Sequence, residues 1–242
     1  MRNVTWLGII RHGESTGNVA ASSAEASGTE LIDIAERDAD VPLSDVGRQQ
    51  ASAVARWFDG LPVDGRPEAA VVSPYLRAQQ TADLALAGLD IPTVRDERLR
   101  DRDLGILDLH TVRGIRAEFP AEAARRKRLG KFYYRPPGGE SWADVLLRLR
   151  SLLRDVDEDH SGQRVLLVGH DALVSLLRYV MEEMDEPTLM ASVKEITIAN
   201  CSITSWRQDG RTYEPELFNY VEHLRRDDDA RPTTERSVDA DV

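Results

Sequence analysis

Arg11 and His12 stand side by side immediately after an apolar run through Leu7, Ile9 and Ile10, and Gly13, Glu14, Ser15 and Asn18 follow. An imidazole next to a guanidinium offers one anionic group both a nucleophilic or basic nitrogen and a fixed planar cation. A short apolar run that turns at once into a glycine-containing polar stretch reads as a buried strand opening into a loop. In an open α/β sheet that is where ligands bind. The same arrangement recurs twice: Ala69 to Val72 runs into Ser73-Pro74-Tyr75-Leu76-Arg77, and Arg164 to Val168 runs into Gly169-His170-Asp171. A single arginine on a helix is usually a solvated surface residue, and a single histidine is usually structural. Two histidines and two arginines at three strand ends make coincidence a poor account.

The elements that must position these groups follow from pattern and punctuation. Ser44 is a good N-cap for a helix from Asp45 to about Phe58, whose Ala51, Val54, Ala55 and Phe58 recur at helical spacing; Gly47 early in it implies close packing. Ser73 as cap and Pro74 at the first helical position place Arg77 in the first turn of the next helix. Residues 19–40 read as a loop with at most a helical turn, lying over the site. Ile91 to Val94 reads as extended, and Pro136-Pro137-Gly138-Gly139 is a firm break. Trp142, Val145, Leu146, Leu149, Leu152 and Leu153 then line one helix, and Leu176, Leu177, Tyr179 and Met181 another. Lys194 to Trp206 alternates as a hairpin or as one edge strand, and Arg211 to Leu217 reads as a short strand. Strand and helix in alternation, with polar groups at strand ends, make a doubly wound α/β sheet covered on both faces.

Composition bounds the function. The chain has 242 residues, 41% hydrophobic and 30% charged, which suits one α/β domain over residues 1–223. Residues 112–135 are strongly basic. They read equally as an exposed helix carrying salt bridges or as part of a lid, an insertion over about 106–137 that adds positive charge to the site. Residues 224–242 are charged and nearly free of apolar side chains, and read as a mobile, dispensable tail. No apolar run is long enough for a membrane span, the first residues lack a basic stretch followed by a long apolar run and a small-residue cleavage site, so secretion is not expected, and the one cysteine, Cys201, reads as a buried core residue; a reducing cytoplasm fits. A net charge of −11 argues against nucleic-acid binding and leaves local arginines to attract any anionic substrate. His110, His160 and His223 sit in polar surroundings and receive no role.

Arg11-His12-Gly13-Glu14-Ser15 with Asn18, Leu43-Ser44 with Gly47 and Gln50-Ala51, Ser73-Pro74 with Arg77, Ala78 and Gln80-Thr81, Gly138-Gly139-Glu140-Ser141, and Val168-Gly169-His170 occur in this order. The set resembles the histidine phosphatase superfamily, which includes the cofactor-dependent phosphoglycerate mutases, and spans nearly the whole chain apart from the tail. The resemblance implies a three-layer α/β/α sandwich with a mostly parallel sheet. It implies that His12 forms a phosphohistidine, that Arg11, Arg77 and His170 surround the transferring phosphoryl group, and that Ser15 and Asn18 bind its oxygens. It assigns the general acid to Asp101, with Asp103 as fallback, where the family commonly has a glutamate. Arg113 and Arg135 of the basic segment are assigned to a further anionic group of the substrate. No metal and no cofactor are expected, and the partner is a small-molecule phosphate ester; a homodimer is compatible with the sequence. Leu104 and Val112 replace a tyrosine and a lysine usual in the mutases, which favours a phosphatase. The complete Arg11, His12, Arg77 and His170 set argues against an inactive binding or regulatory relative.

Overall fold

The computed structural model describes residues 3–226 and 230–234. Strand β1 (Trp6–Arg11) is buried along its whole length. Its side chains alternate, Leu7 and Ile9 entering one core and Trp6 and Ile10 the other. β1 can be apolar on both faces because it is central in the sheet. It pairs in parallel with β4 (Arg164–Gly169) and antiparallel with β5 (Ile203–Asp209). Strands β2 (Ala69–Val72) and β3 (Thr93–Arg95) extend the parallel part, and β6 (Thr212–Tyr220) closes the other edge, in the order β3-β2-β4-β1-β5-β6.

Helices cover both faces. The layer on the Trp6 and Ile10 side is α2 (Asp45–Asp59), α3 (Leu76–Ala85) and the short α9 (Glu222–Arg225). The layer on the Leu7 and Ile9 side is α6 (Trp142–Asp159), α7 (Asp171–Met181) and α8 (Glu186–Glu195). β1 leads through α2 to β2, whereas β4 leads through α7 to β5 on the far side of β1. The neighbouring strands β1 and β4 thus send their connections in opposite directions, which opens a crevice at their C-terminal ends. The three-layer, mostly parallel sheet is as expected.

Some local expectations fail for identifiable reasons. The first part of residues 19–40 is not loop, because α1 (Thr16–Ser27) makes three turns and runs as far as Ser27. Its sequence is small and polar with only Ala24 buried, so no apolar stripe betrays it; a Ser15–Asn18 capping box starts it and Gly28, at φ 68°, ends it. The helix after β2 begins at Leu76 with Tyr75 as N-cap, so Ser73 is left for another task. The alternation from Lys194 is misleading: Lys194 lies in α8, and strand pairing begins only at Ile203. Between them the chain wraps across the end of β1. There Arg11 donates to the Ile198 carbonyl (2.5 Å), Cys201 N–H to the Arg11 carbonyl (3.0 Å), and the Asn219 side chain bonds Ala199 and Thr197.

The C-terminal segment is not simply a mobile tail. Leu224 and Ala230 are buried, and Gln50 Nε2 donates to the Arg231 carbonyl (2.9 Å) and to Thr233 Oγ1 (2.8 Å). Docking through backbone and hydroxyl groups leaves no apolar signature in sequence. Residues 227–229 and 235–242 of that stretch lie outside the described residues.

The loop after β1 is pressed backbone to backbone against the start of α2. A Cβ on Gly47 would lie 2.0 Å from the Glu14 carbonyl oxygen, and one on Gly13 2.5 Å from the Gly47 oxygen. Ser44 N–H donates to the Glu14 carbonyl (2.9 Å), and Ser44 Oγ donates to the Glu14 carboxylate (2.7 Å). Gly47→Ala is therefore expected to destabilise the protein by about 1–3 kcal/mol, through overpacking against rigid backbone. Chemical denaturation reads this directly, and an unchanged midpoint with unchanged activity contradicts the close contact.

Candidate active site

A cavity of about 580 Å³ opens at the crevice, and its lining includes Arg11, His12, Ser15, Asn18, Arg77, Asp101 and Asp103. His12 follows β1 directly and is anchored there, its N–H donating to the Gly169 carbonyl of β4 (2.9 Å). Its Nδ1 lies 2.7 Å from the Gly13 carbonyl, which can only accept. The proton therefore sits on Nδ1 and the lone pair on Nε2. Burial holds the His12 pKa well below 6.5, with Arg77, His170 and Arg11 acting in the same direction. The ring is neutral, as a nucleophile must be.

His170, the N-cap of α7, is fully buried, with its ring centroid 5.2 Å from that of His12. Ser73 Oγ lies 2.8 Å from its Nε2, and Asp101 Oδ2 lies 3.1 Å from its Nδ1. The hydroxyl expected to cap a helix thus orients an imidazole instead. Burial lowers the His170 pKa, and the opposing influence of Asp101 does not reverse it.

Arg77 is 5% exposed in the first turn of α3. It donates to the Asp38 carbonyl (2.6 Å) and carboxylate (2.9 Å) and to Asp101 Oδ2 (3.0 Å). Burial opposes its charge, but Asp101 and Asp38 more than offset that and raise its pKa. Burial likewise opposes ionisation of Asp101, yet His170 and Arg77 hold its carboxyl well below the usual carboxylate range.

The loop carrying His12 is pinned at nearly every residue. Gly13 N–H donates to Thr81 Oγ1 (3.0 Å), Glu14 N–H to Gln50 Oε1 (2.9 Å), and Ser15 N–H to Asn18 Oδ1 (2.9 Å). Leu43, which bridges to Ser15, is held by Gln80 Oε1 (2.8 Å). Asn200 Nδ2 donates to the His12 carbonyl (3.1 Å), while Thr233 Oγ1 donates to Asn200 Oδ1 (3.1 Å). The C-terminal segment thereby braces the loop from two sides, through Gln50 and through Asn200. Three helices, α1, α3 and α7, start just beyond β1, β2 and β4. Their N-terminal dipoles make that end of the sheet favourable to an anion.

The structure brings Arg11, His12, Ser15, Asn18, Arg77 and Asp101 to one cavity, with His170 buried against Asp101. It does not bring Arg113 or Arg135 there. Arg113 is mostly exposed and lies 3.9 Å from Glu30, and Arg135 is paired with Asp144. Each is held by an acidic neighbour that sequence distance concealed. From the insertion over about 106–137 the cavity receives only Asp108, Leu109 and His110, ahead of helices α4 (Val112–Glu118) and α5 (Pro120–Leu129), and the strongly basic residues 112–135 do not line it. Sequence reasoning missed His110 as a wall residue, and also Asp38, Ser73, Asn200 and Thr233. Ser73 carried a signal in its place after a strand; Asn200 and Thr233 carried none.

His12, Asp101 and His170 place potential ligand atoms within 4.8 Å of one another, a spacing that could hold a metal ion. Arg11 and Arg77 flank the same point, and two buried guanidiniums disfavour a cation there and favour an anion. The arrangement suits a phosphoryl group, whose equatorial oxygens match guanidinium forks.

Comparison with known proteins agrees with this geometry. The family model of the histidine phosphatase superfamily (branch 1) matches residues 7–221. A 2,3-bisphosphoglycerate-dependent phosphoglycerate mutase 2 from Gloeobacter violaceus is 29% identical over 200 residues, covering 81% of this chain and 82% of that protein. Among solved structures, Bacillus stearothermophilus YhfR superposes with a TM-score of 0.72 at 26% identity, covering 91% of this chain and 99% of that one. Mycobacterial glucosyl-3-phosphoglycerate phosphatase superposes with a TM-score of 0.70 at 25% identity, covering 89% and 98%. With a neutral histidine beside buried arginines at the end of β1 and the family model matched across nearly its whole length, the chain belongs to the histidine phosphatase superfamily.

Proposed function

We propose that the protein is a metal-independent phosphatase that hydrolyses a phosphate monoester through a phosphohistidine on His12. The observation that carries this reading is the His12 ring itself: neutral, with Nδ1 fixed on the Gly13 carbonyl and its lone pair on Nε2, beside two buried arginines. In the first step Nε2 attacks phosphorus, the P–O bond to the alcohol breaks, and Arg11, Arg77 and the helix N-termini stabilise charge on the equatorial oxygens. Ser15 and Asn18 line the same cavity, their side chains also forming the capping box of α1. In the second step water attacks phosphorus, the N–P bond breaks and inorganic phosphate leaves.

Asp101 is the proton carrier in this scheme. Its carboxylate is ionised in the resting site, which suits a base for the water of the second step. An arriving phosphate takes the Arg77 fork and adds negative charge alongside Asp101, and both changes raise the carboxyl pKa toward the protonated form needed by the leaving alkoxide. Asp103 is the weaker candidate because Asp101 is the carboxylate held against Arg77 and His170, whereas Asp103 Oδ1 accepts from Gly105 N–H (2.8 Å). Hydrolysis is favoured over mutase chemistry because Leu104, an apolar side chain, lines the cavity at the position where mutases usually carry a tyrosine, while Val112 lies outside it. The single cysteine, Cys201, is buried and unpaired in a disulfide, which fits a cytoplasmic setting.

Phosphate release from a panel of monoesters, with 3-phosphoglycerate included and its isomerisation followed, tests the reading. Wild type is expected to release phosphate in the presence of a chelator and His12→Ala is not; isomerisation without release would make the protein a mutase. Histidine titration by NMR supplies a second check. Because burial lowers the folded-state pKa of His12, the folded state binds fewer protons than the unfolded one, and this contribution to stability is complete above the unfolded value and is lost as pH falls toward the folded one. The His12 ring should stay neutral at pH values below 6.5, and a midpoint at or above 6.5 contradicts the site as described. Asn200→Ala, which releases the His12 carbonyl, should lower kcat by about 10–100-fold through misplacement of the nucleophile. Thr233→Val should act in the same direction with a smaller effect, and wild-type kcat in both variants would show that the brace is irrelevant to catalysis.

A further inference from the structure

The cavity extends well beyond the phosphoryl site, and its outer wall differs in character from its floor. A volume of about 580 Å³ falls in the range of small-molecule pockets and leaves room for a substantial alcohol. Ile34, Leu104 and Leu109 give that wall an apolar surface, and Glu36, Asp38 and Asp108 give it acidic groups. The wall is a built feature. Ile32 N–H donates to the Leu109 carbonyl (2.8 Å), Leu31 bridges to His110, and Leu109 is held at φ 59°, a left-handed conformation uncommon for leucine.

The arginines of the lining are already committed. Arg11 and Arg77 belong to the floor. Arg37 makes two hydrogen bonds to Asp40 (2.9 and 3.0 Å), and the buried Arg102 donates from Nε to the Glu140 carbonyl (2.7 Å). Neither Arg113 nor Arg135 lines the cavity. A second phosphate or carboxylate on the substrate would meet Glu36, Asp38 and Asp108, of which Asp38 is half-buried and the other two exposed, and like charges at that wall repel. Partial burial raises the Asp108 carboxyl, and the nearby Asp38 carboxylate acts in the same direction.

Building on the phosphatase reading, we infer that the substrate carries its only negative charge on the phosphoryl group, and that its alcohol is uncharged or cationic with an apolar portion. The apolar part packs on Leu104, Leu109 and Ile34. Hydroxyl or ammonium donors of the alcohol meet the acidic groups, including the Asp38 carboxylate once phosphate has displaced it from Arg77. The wall thereby selects against the doubly anionic esters that a basic lid would have favoured.

Three aryl esters with similar leaving groups separate the possibilities: para-methylphenyl, para-(aminomethyl)phenyl and para-(carboxymethyl)phenyl phosphate, assayed with the full chain. The carboxymethyl ester should have a kcat/KM at least about tenfold below the methyl ester, and the aminomethyl ester should equal or exceed the methyl ester. Glu36→Gln and Asp108→Asn, singly and together, should narrow the gap by improving the carboxymethyl ester. A carboxymethyl ester that is cleaved as well as or better than the others by wild type overturns the inference while leaving the phosphatase intact. His12-dependent release from none of the three overturns both.

Discussion

Two guanidiniums and two imidazoles are gathered in a buried space at the end of one strand, and the cost of desolvating them governs the rest of the site. Acidic side chains offset that cost. The carboxylates of Asp101 and Asp38 take the Arg77 fork, and Asp101 faces His170 as well. The histidines accommodate the field by staying neutral, as the proposed attack of His12 on phosphorus requires. A site of this kind binds a phosphoryl group by exchanging one set of negative charges for another. Most of its reorganisation is then confined to Asp38 and Asp101.

Neutral, oriented groups must also be held still, and the surrounding chain is spent largely on that. Thr81, Gln50, Asn18 and Asn200 each take one backbone group of the loop from His12 to Ser15, and Gln80 holds the adjoining Leu43. The glycines at 13 and 47 let two backbones meet where any side chain would intervene. The three helix starts at strand ends are the large-scale version of the same constraint, because each turns the positive end of its dipole toward the C-terminal end of the sheet.

Much of this was legible in the sequence because the chemistry sits where local pattern is strongest. The runs ending in Arg11-His12, Ser73 and Gly169-His170 each announced a buried strand and a polar turn, and all three meet. The misses share a physical cause. Helix α1 is specified by its caps and not by an apolar stripe. Asn200 and Thr233 act through single hydrogen bonds between residues remote in sequence. Arg113 and Arg135 looked available because their partners, Glu30 and Asp144, could be paired with them only in three dimensions. Charge density along a sequence overstates charge presented to a site when neighbours across the fold neutralise it.

The central claim is that phosphoryl transfer passes through Nε2 of His12. Rapid acid-free quenching of the full chain during turnover of a phosphorus-labelled monoester, followed by peptide mapping under alkaline conditions, tests it most directly. Label on the peptide containing His12, attached at Nε2 and abolished by His12→Ala, is the predicted result. Turnover that leaves no label on the protein, or label on any other residue, would contradict the account.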